Sequence, residues 1–212
     1  DKLSNVAPER IKMEILKIVH SEWNSLVCRN HLELQLFDNW REDDMPSIQL
    51  IGKNIYYQDL YSASPLAKLI CLLSDDGLSD LTFSKNQIKR CKKLRFWVQK
   101  INKIGLDYFS EDERFQLHID LEEDLPSLML FLKEKYINTW LKRWKDPSDP
   151  LFHPSPPLDG YSLQEALEVP PGPCLGKLMR YLSKEKAYGR FFANQDALEI
   201  ARKWILENSP LL

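Results

Sequence analysis

Apolar residues recur along this chain mostly at the three-to-four-residue spacing of amphipathic helices, and rarely with the alternation of strands. In PERIKMEILKIVHSEW, Ile11, Ile15, Ile18, Val19 and Trp23 share one side, leaving Lys12, Glu14 and Lys17 toward water. Pro8 and Glu9 suit a first turn, with Ser4 or Asn5 as candidate caps. A second helix is expected through HLELQLFDNW, on Leu32, Leu36, Phe37 and Trp40, and the stretch that follows, as far as Tyr57, reads mostly as loop. Ser64-Pro65 then opens the almost wholly apolar helix PLAKLICLL, expected at the centre of the core. Ser84 caps KNQIKRCKKLRFWVQKINKIG, which Gly105 terminates. Ser110 to Glu113 forms a capping box for the next helix. LPSLMLFLKEKY, with Pro126 early in it, makes a further helix, and 137–144 one more. DPSDPLFHPSPPLDG, with its five prolines, marks the clearest boundary. Beyond it come a capping box at Ser162-x-x-Glu165, a helix starting at Pro173, a break at Gly189 and a last helix, NQDALEIARKWIL. The predicted fold is all-α: a multi-helix body with a small helical tail subdomain after a Pro-rich linker.

Composition narrows the setting. The 212 residues are 43% hydrophobic and 28% charged, as in soluble globular proteins. A net charge of −2 means that any anionic partner must be met by a local patch and not by the molecule as a whole. Cys28, Cys71, Cys91 and Cys174 show neither a C-x-x-C pair nor a regular spacing, which fits reduced thiols in or near helix cores and a reducing, cytoplasmic compartment. No apolar run approaches the ~20 residues of a membrane span. The residues 1–7 lack the apolar stretch of a secretion signal.

The motifs argue against a self-sufficient active site. Gly172-Pro173-Cys174-Leu175-Gly176-Lys177 approaches a phosphate-binding loop, but the glycines stand one residue too close and Leu178 occupies the place of the magnesium-binding hydroxyl. Pro173 also removes an N–H from a loop that would present N–H groups, and suits the first turn of a helix better. Gly176, a turn into that helix, would permit close packing or the close approach of a partner. His20, His31, His118 and His153 form no metal-binding pattern. His118 and Asp120, two apart on a helix, face different directions and read as solvated surface. Asp43-Asp44 and Asp75-Asp76 read as turn formers. No nucleophile elbow is present. No catalytic residue, metal ligand or cofactor is therefore predicted in this chain.

One helix carries a signal. Between Lys85 and Lys103 stand eight basic residues and no acidic one: Lys85, Lys89, Arg90, Lys92, Lys93, Arg95, Lys100 and Lys103. With Ile88, Cys91, Leu94, Val98 and Ile101 inward, most of these charges are expected to share the outward face. Like charges at i,i+4, such as Lys85/Lys89 and Lys89/Lys93, cost ~0.2–0.5 kcal/mol each. An anionic ligand would relieve that repulsion, and phosphate backbone is the candidate. Phe96 and Trp97 could stack bases, although core packing is the more ordinary role of such neighbours.

Four segments together resemble a known family. Ala7-Pro8-Glu9-Arg10-Ile11 with Glu14-Ile15-Leu16-Lys17-Ile18 resembles the neck helix of bacterial-type (class II) tRNA nucleotidyltransferases, the CCA-adding enzymes and their poly(A) polymerase relatives. Ser84-Lys85-Asn86-Gln87-Ile88-Lys89-Arg90 resembles their S-x-x-E-I-x-R body helix, with Gln87 in place of the acid. Glu122-Glu123-Asp124-Leu125-Pro126 resembles their G-x-D-L-P turn, without the glycine. The series Asp149-Pro150, Pro157-Leu158-Asp159-Gly160, Pro171-Gly172-Pro173-x-x-Gly176-x-Leu178 and Asp196-Ala197-Leu198-x-x-Ala201 resembles the tail, and the D-P-x-x-H-P linker looks like the cyanobacterial branch. Tyr161-Ser162 departs from the family's polar pair, and the run 42–63 does not align.

The resemblance implies a division into the end of the neck at 1–25, a helical body at 26–146, a linker at 147–160 and a tail at 161–212. It implies that this is the C-terminal half of such an enzyme, that it binds the acceptor/T arm and elbow of tRNA, and that it is inactive alone. Mg²⁺ and CTP or ATP would belong to an N-terminal catalytic head upstream of residue 1. Backbone contacts are expected from Lys85, Lys89, Arg90, Lys92, Lys93, Lys177 and Arg180, helped by helix starts at Leu163 and Pro173. Glu9, Arg10 and Glu14 would be structural residues of the neck helix, with Arg10 and Glu14 paired at i,i+4. The alternatives are a stand-alone helical protein-interaction module, or an enzyme with an unrecognised site.

Overall fold

The computed structural model describes residues 6–21, 40–41, 48, 58–191 and 194–208. Among these the chain is all-α, with no strand. The helix expected at 31–40 (apart from Trp40), most of the loop 42–57, and Ser4, Asn5, Trp23, Cys28 and His31 lie outside the described residues. Among the described residues ten α-helices are seen: α1 Pro8–His20, α2 Gln58–Leu72, α3 Asp75–Asp80, α4 Lys85–Ile104, α5 Glu111–Leu121, α6 Leu125–Met129, α7 Glu134–Trp144, α8 Gly160–Leu167, α9 Pro173–Ala187 and α10 Asn194–Glu207. A 3₁₀ turn, Leu106–Tyr108, follows α4. No helix among the described residues is long and apolar enough to cross a membrane.

The chain divides into two compact units. The first draws on the described residues within Asp1–Phe109 and on Asp120–Lys142; the second comprises Ser110–Ile119 and Arg143–Leu212. In the first unit α2 is central and packs against α1, α4 and α6, while α3 and α6 also lie on α4. Leu60, Ala67, Ile70 and Leu73 are fully buried along or just beyond α2. The helix begins at Gln58, six residues before Ser64, so Pro65 stands inside it. With no N–H at Pro65, the carbonyl of Tyr61 loses its i+4 donor, a local defect that burial of the surrounding apolar residues outweighs.

Two buried cations stitch this unit together. Lys68 of α2 donates to the carbonyls of Val19 and Ser21, at 3.1 and 2.7 Å, at the C-terminal end of α1. Arg95 of α4 donates to the carbonyls of Ile70 and Leu73, at 2.8 and 2.6 Å, at the C-terminal end of α2. Both charges sit where the last carbonyls of a helix need donors and where the helix dipole is negative. Arg95 also approaches Asp75 at 3.4 Å. It is therefore not part of the outward face expected for most of the basic residues of this helix. Asp75 and Asp76 fall in the first turn of α3, which Ser74 caps through the Gly77 N–H, and not in a loop.

The helix expected across LPSLMLFLKEKY is divided. α6 ends at Met129, and i→i−3 bonds from Phe131 N to Leu128 O and from Leu132 N to Met129 O tighten the chain before α7 begins at Glu134. Residues 125–132 are all buried.

In the second unit α8, α9 and α10 pack on one another around Leu163, Val169, Leu175, Leu178, Leu182 and Ala201. α8 starts at Gly160, and Asp159, not Ser162, is its cap, accepting from Ser162 N at 2.8 Å. Part of the proline-rich stretch is folded into the same unit. Arg143 forks onto Asp149 at 2.7 and 3.0 Å, and the Leu151 and Phe152 N–H groups donate to the same carboxylate. Leu151 and Phe152 are buried. Burial works against ionising Asp149, but Arg143 and these amides outweigh it and hold its pKa below the usual carboxylate range.

His118, expected on a solvated surface, is instead buried, its ring centroid 4.2 Å from that of Phe152. Burial, reinforced by Arg143, lowers its pKa to about 3. Asp120 does face elsewhere, accepting from Trp97 Nε1 at 3.1 Å. Among the described residues no group of three or more His, Cys, Asp or Glu able to hold an ion occurs.

Candidate nucleic-acid interface

α4 is capped at both ends. Ser84 accepts from Gln87 N at 3.2 Å and the Gln87 side chain returns to Ser84 N at 3.2 Å, a complete capping box with Gln87 in the acid's role. At the other end Gly105 adopts φ 89°, a conformation that L residues rarely take. Cys91, Leu94, Arg95, Trp97 and Val98 are buried on the inner face.

The basic residues of α4 sort into two sets. One is held by the protein itself. Arg90 forks onto Asp124, with Nε 3.0 Å from Oδ2 and Nη2 2.5 Å from Oδ1. Lys93 lies 3.3 Å from Asp120. Arg95 is the helix cap described above. The Nζ of Lys100 stands 5.2 to 5.6 Å from the ring centroids of Phe96, Trp97 and Phe109. The Arg90–Asp124 pair joins the segments 84–90 and 122–126, two of the motifs singled out in the sequence.

The second set faces water. Lys85, Lys89, Lys92 and Lys103 are all exposed. Positions 85, 89, 92 and 96 follow the i, i+4, i+7, i+11 progression of a single helical stripe. Successive members therefore stand ~4.5–6 Å apart along the axis. Phe96 completes the stripe and is 54% exposed. Three flexible point charges thus stand in a row on a helix that itself carries no acidic residue, a pattern with the chemistry to attract phosphate.

In the second unit the basic residues of α9 are mostly engaged. Arg180 donates to Gln116 Oε1 at 2.5 Å and lies over Phe115. Lys184 pairs with Asp112 at 2.7 Å, and Arg190 with both Glu185 and Glu111. Tyr188 adds a bond from its hydroxyl to the Glu111 carbonyl at 2.8 Å. The basic side of α9 thus meets the acidic first turn of α5. Lys177 is exposed, one turn before Arg180. Gly176 is not packed closely: a Cβ there would meet nothing within 4 Å. The helix start near Leu163 already has the Asp159 carboxylate as its anion, whereas the start at Pro173 has no side-chain cap.

On α1, Glu9 and Arg10 are exposed, and Glu14 pairs with Lys17 at 2.8 Å, not with Arg10. Lys12, read from the sequence only as facing water, reaches the Thr82 carbonyl at 2.8 Å and lies over the Phe83 ring, tying α1 to the turn before α4. Its signal was too faint to find, since one lysine on the polar face of a helix looks like any other.

Comparison of the chain with protein-family models, with curated proteins and with solved structures gives no match.

Proposed function

We propose that this chain binds RNA through the outward face of α4, as the tRNA-holding C-terminal region of a nucleotidyltransferase of the CCA-adding type. The observation that carries the reading is the exposed row Lys85, Lys89 and Lys92 on a helix without acidic residues. Two further facts support it. The motif segments 84–90 and 122–126, which resemble parts of that family's body, meet through the Arg90–Asp124 pair. The described residues are all-α, as the resemblance requires.

In this reading α4 contacts the phosphates of the acceptor/T arm and elbow, and Lys177 adds a contact from the tail. Such contacts fix register and orientation and carry little sequence information. Arg90, Lys93 and Arg180 act chiefly by holding the surfaces in shape, since each already has a protein partner. The bound tRNA 3′ end is thereby presented to an N-terminal head, which would supply Mg²⁺ and CTP or ATP and transfer CMP and AMP in the cytoplasm. The chain's own contribution to rate is positional.

The test is a fluorescence anisotropy titration of labelled tRNA with this chain over a salt series. The logarithm of affinity should fall linearly with the logarithm of salt. Charge reversal at Lys89 and Lys92 should weaken binding at low salt. Affinity that ignores salt, or survives the reversal unchanged, would overturn the reading. Incubation with tRNA, Mg²⁺ and labelled CTP or ATP should give no incorporation by the chain alone.

A further inference from the structure

Phe96 interrupts the lysine stripe with an apolar ring that is 54% exposed. A single exposed apolar ring is ordinary on a protein surface. This one is mounted. Its ring packs edge-to-face with that of Trp97, with centroids 5.0 Å apart and planes at 80°, and Trp97 is itself fixed. Trp97 is buried, donates Nε1–H to Asp120, and packs against Phe109 with centroids 5.8 Å apart. Lys100 sets its ammonium 5.6 Å from the Phe96 centroid. A ring held in this way loses little side-chain entropy when a flat group lies on it.

We propose that Phe96 is a stacking platform for an unpaired base, and that the face made by Lys85, Lys89, Lys92 and Phe96 prefers RNA with splayed or single-stranded nucleotides to uninterrupted duplex. The inference rests on the RNA-binding reading above and adds the class of RNA to it. The lysines supply charge complementarity along one strand. Phe96, one turn beyond Lys92, meets the strand with a π-face where a further lysine would have met only phosphate. Duplex bases are already stacked and cannot reach the ring, whereas loop or end bases can. Lys100 beside the ring places a cation near the phosphate of the stacked nucleotide and adds to the attraction of the aromatic cluster.

The experiment uses the full chain and two labelled probes of about 12 nucleotides or base pairs, an unstructured single strand and a duplex RNA. Phe96→Ala should lose about 5- to 100-fold in single-strand affinity. It should change duplex binding by less than about twofold and leave the salt slope intact, because no phosphate contact is removed. Phe96→Leu, which keeps the apolar bulk, should lose as much as Phe96→Ala, and Phe96→Trp should bind single strand at least as well as the native chain. Far-UV circular dichroism confirms that each variant folds. Single-strand affinity unchanged in both Phe96→Ala and Phe96→Leu, or lost equally on both probes, would overturn the platform. If reversal of Lys89 and Lys92 abolishes binding while Phe96→Ala does not, the platform falls and the RNA reading stands. If neither probe binds the native chain, both fall.

Discussion

The burial of His118 carries a pH-dependent cost that can be worked out. The imidazole is 2% exposed and lies against Phe152, within a unit that also places Arg143, Arg114 and His153 nearby. Burial and then Arg143 oppose its protonation, Asp149 partly favours it, and the folded pKa falls to about 3. An unfolded histidine protonates near 6.5. Between these values the unfolded chain binds the proton and the folded chain does not, so stability rises with pH in that window and falls on acidification. From neutral pH to about pH 5 the loss is about 2 kcal/mol, one and a half pKa units at ~1.36 kcal/mol each. The depressed carboxylates Asp146, Asp149 and Asp159 act at lower pH, because an acid with a lowered folded pKa gives up its stabilisation only as pH falls below its ordinary value near 3.8. Urea unfolding of the native chain and of His118→Leu and His118→Gln, at neutral pH and near pH 5, measures the effect. Both variants should lose about 2 kcal/mol less on acidification than the native chain. If all three lose the same amount, the neutral buried imidazole is not the source of acid sensitivity.

Two glycines should respond oppositely to alanine. At Gly77 a Cβ would stand 2.5 Å from the Trp40 carbonyl oxygen, so Gly77→Ala should lower the thermal midpoint, at a cost of ~1–3 kcal/mol. Gly176 is helical with open space around it, so Gly176→Ala should stabilise by ~0.5–1 kcal/mol. Arg95→Met should cost ~1–3 kcal/mol in urea unfolding, since it strips donors from the buried carbonyls of Ile70 and Leu73. Burial pushes the Cys91 thiol up to about 12, so mass-spectrometric mapping after alkylation near pH 8 should find Cys91 unmodified in the native chain and modified in urea.

Where the sequence carried punctuation, the elements were legible. α4 is bounded by Ser84 with Gln87 and by Gly105, and both ends are found where those residues place them. α9 starts at Pro173 for the same kind of reason. Legibility failed where periodicity has nothing to show. Residues 125–132 are buried on every side, so the run has no polar face to mark where α6 stops. At Ser64-Pro65 the local preference of proline for a first turn lost to the burial of a longer helix. Charged residues in the core were the least legible. Lys68 and Arg95 are residue types usually found at the surface, yet each reaches a helix C-terminus, which only the packing of other helices supplies. The basic character of α4 was visible in the sequence. Its division into engaged and exposed cations was not, because Asp120 and Asp124 lie far along the chain from their partners.

The row of exposed lysines is the central claim, and the salt dependence of RNA binding tests it most directly. Replacing Lys85, Lys89 and Lys92 together by Gln removes three charges that have solvent around them and leaves the Arg90–Asp124 and Lys93–Asp120 pairs in place. In tRNA titrations over a salt series the variant should bind more weakly at low salt, and its slope of log affinity against log salt should be flatter by about 2 to 3 units. A variant with the native slope and the native affinity would contradict the account.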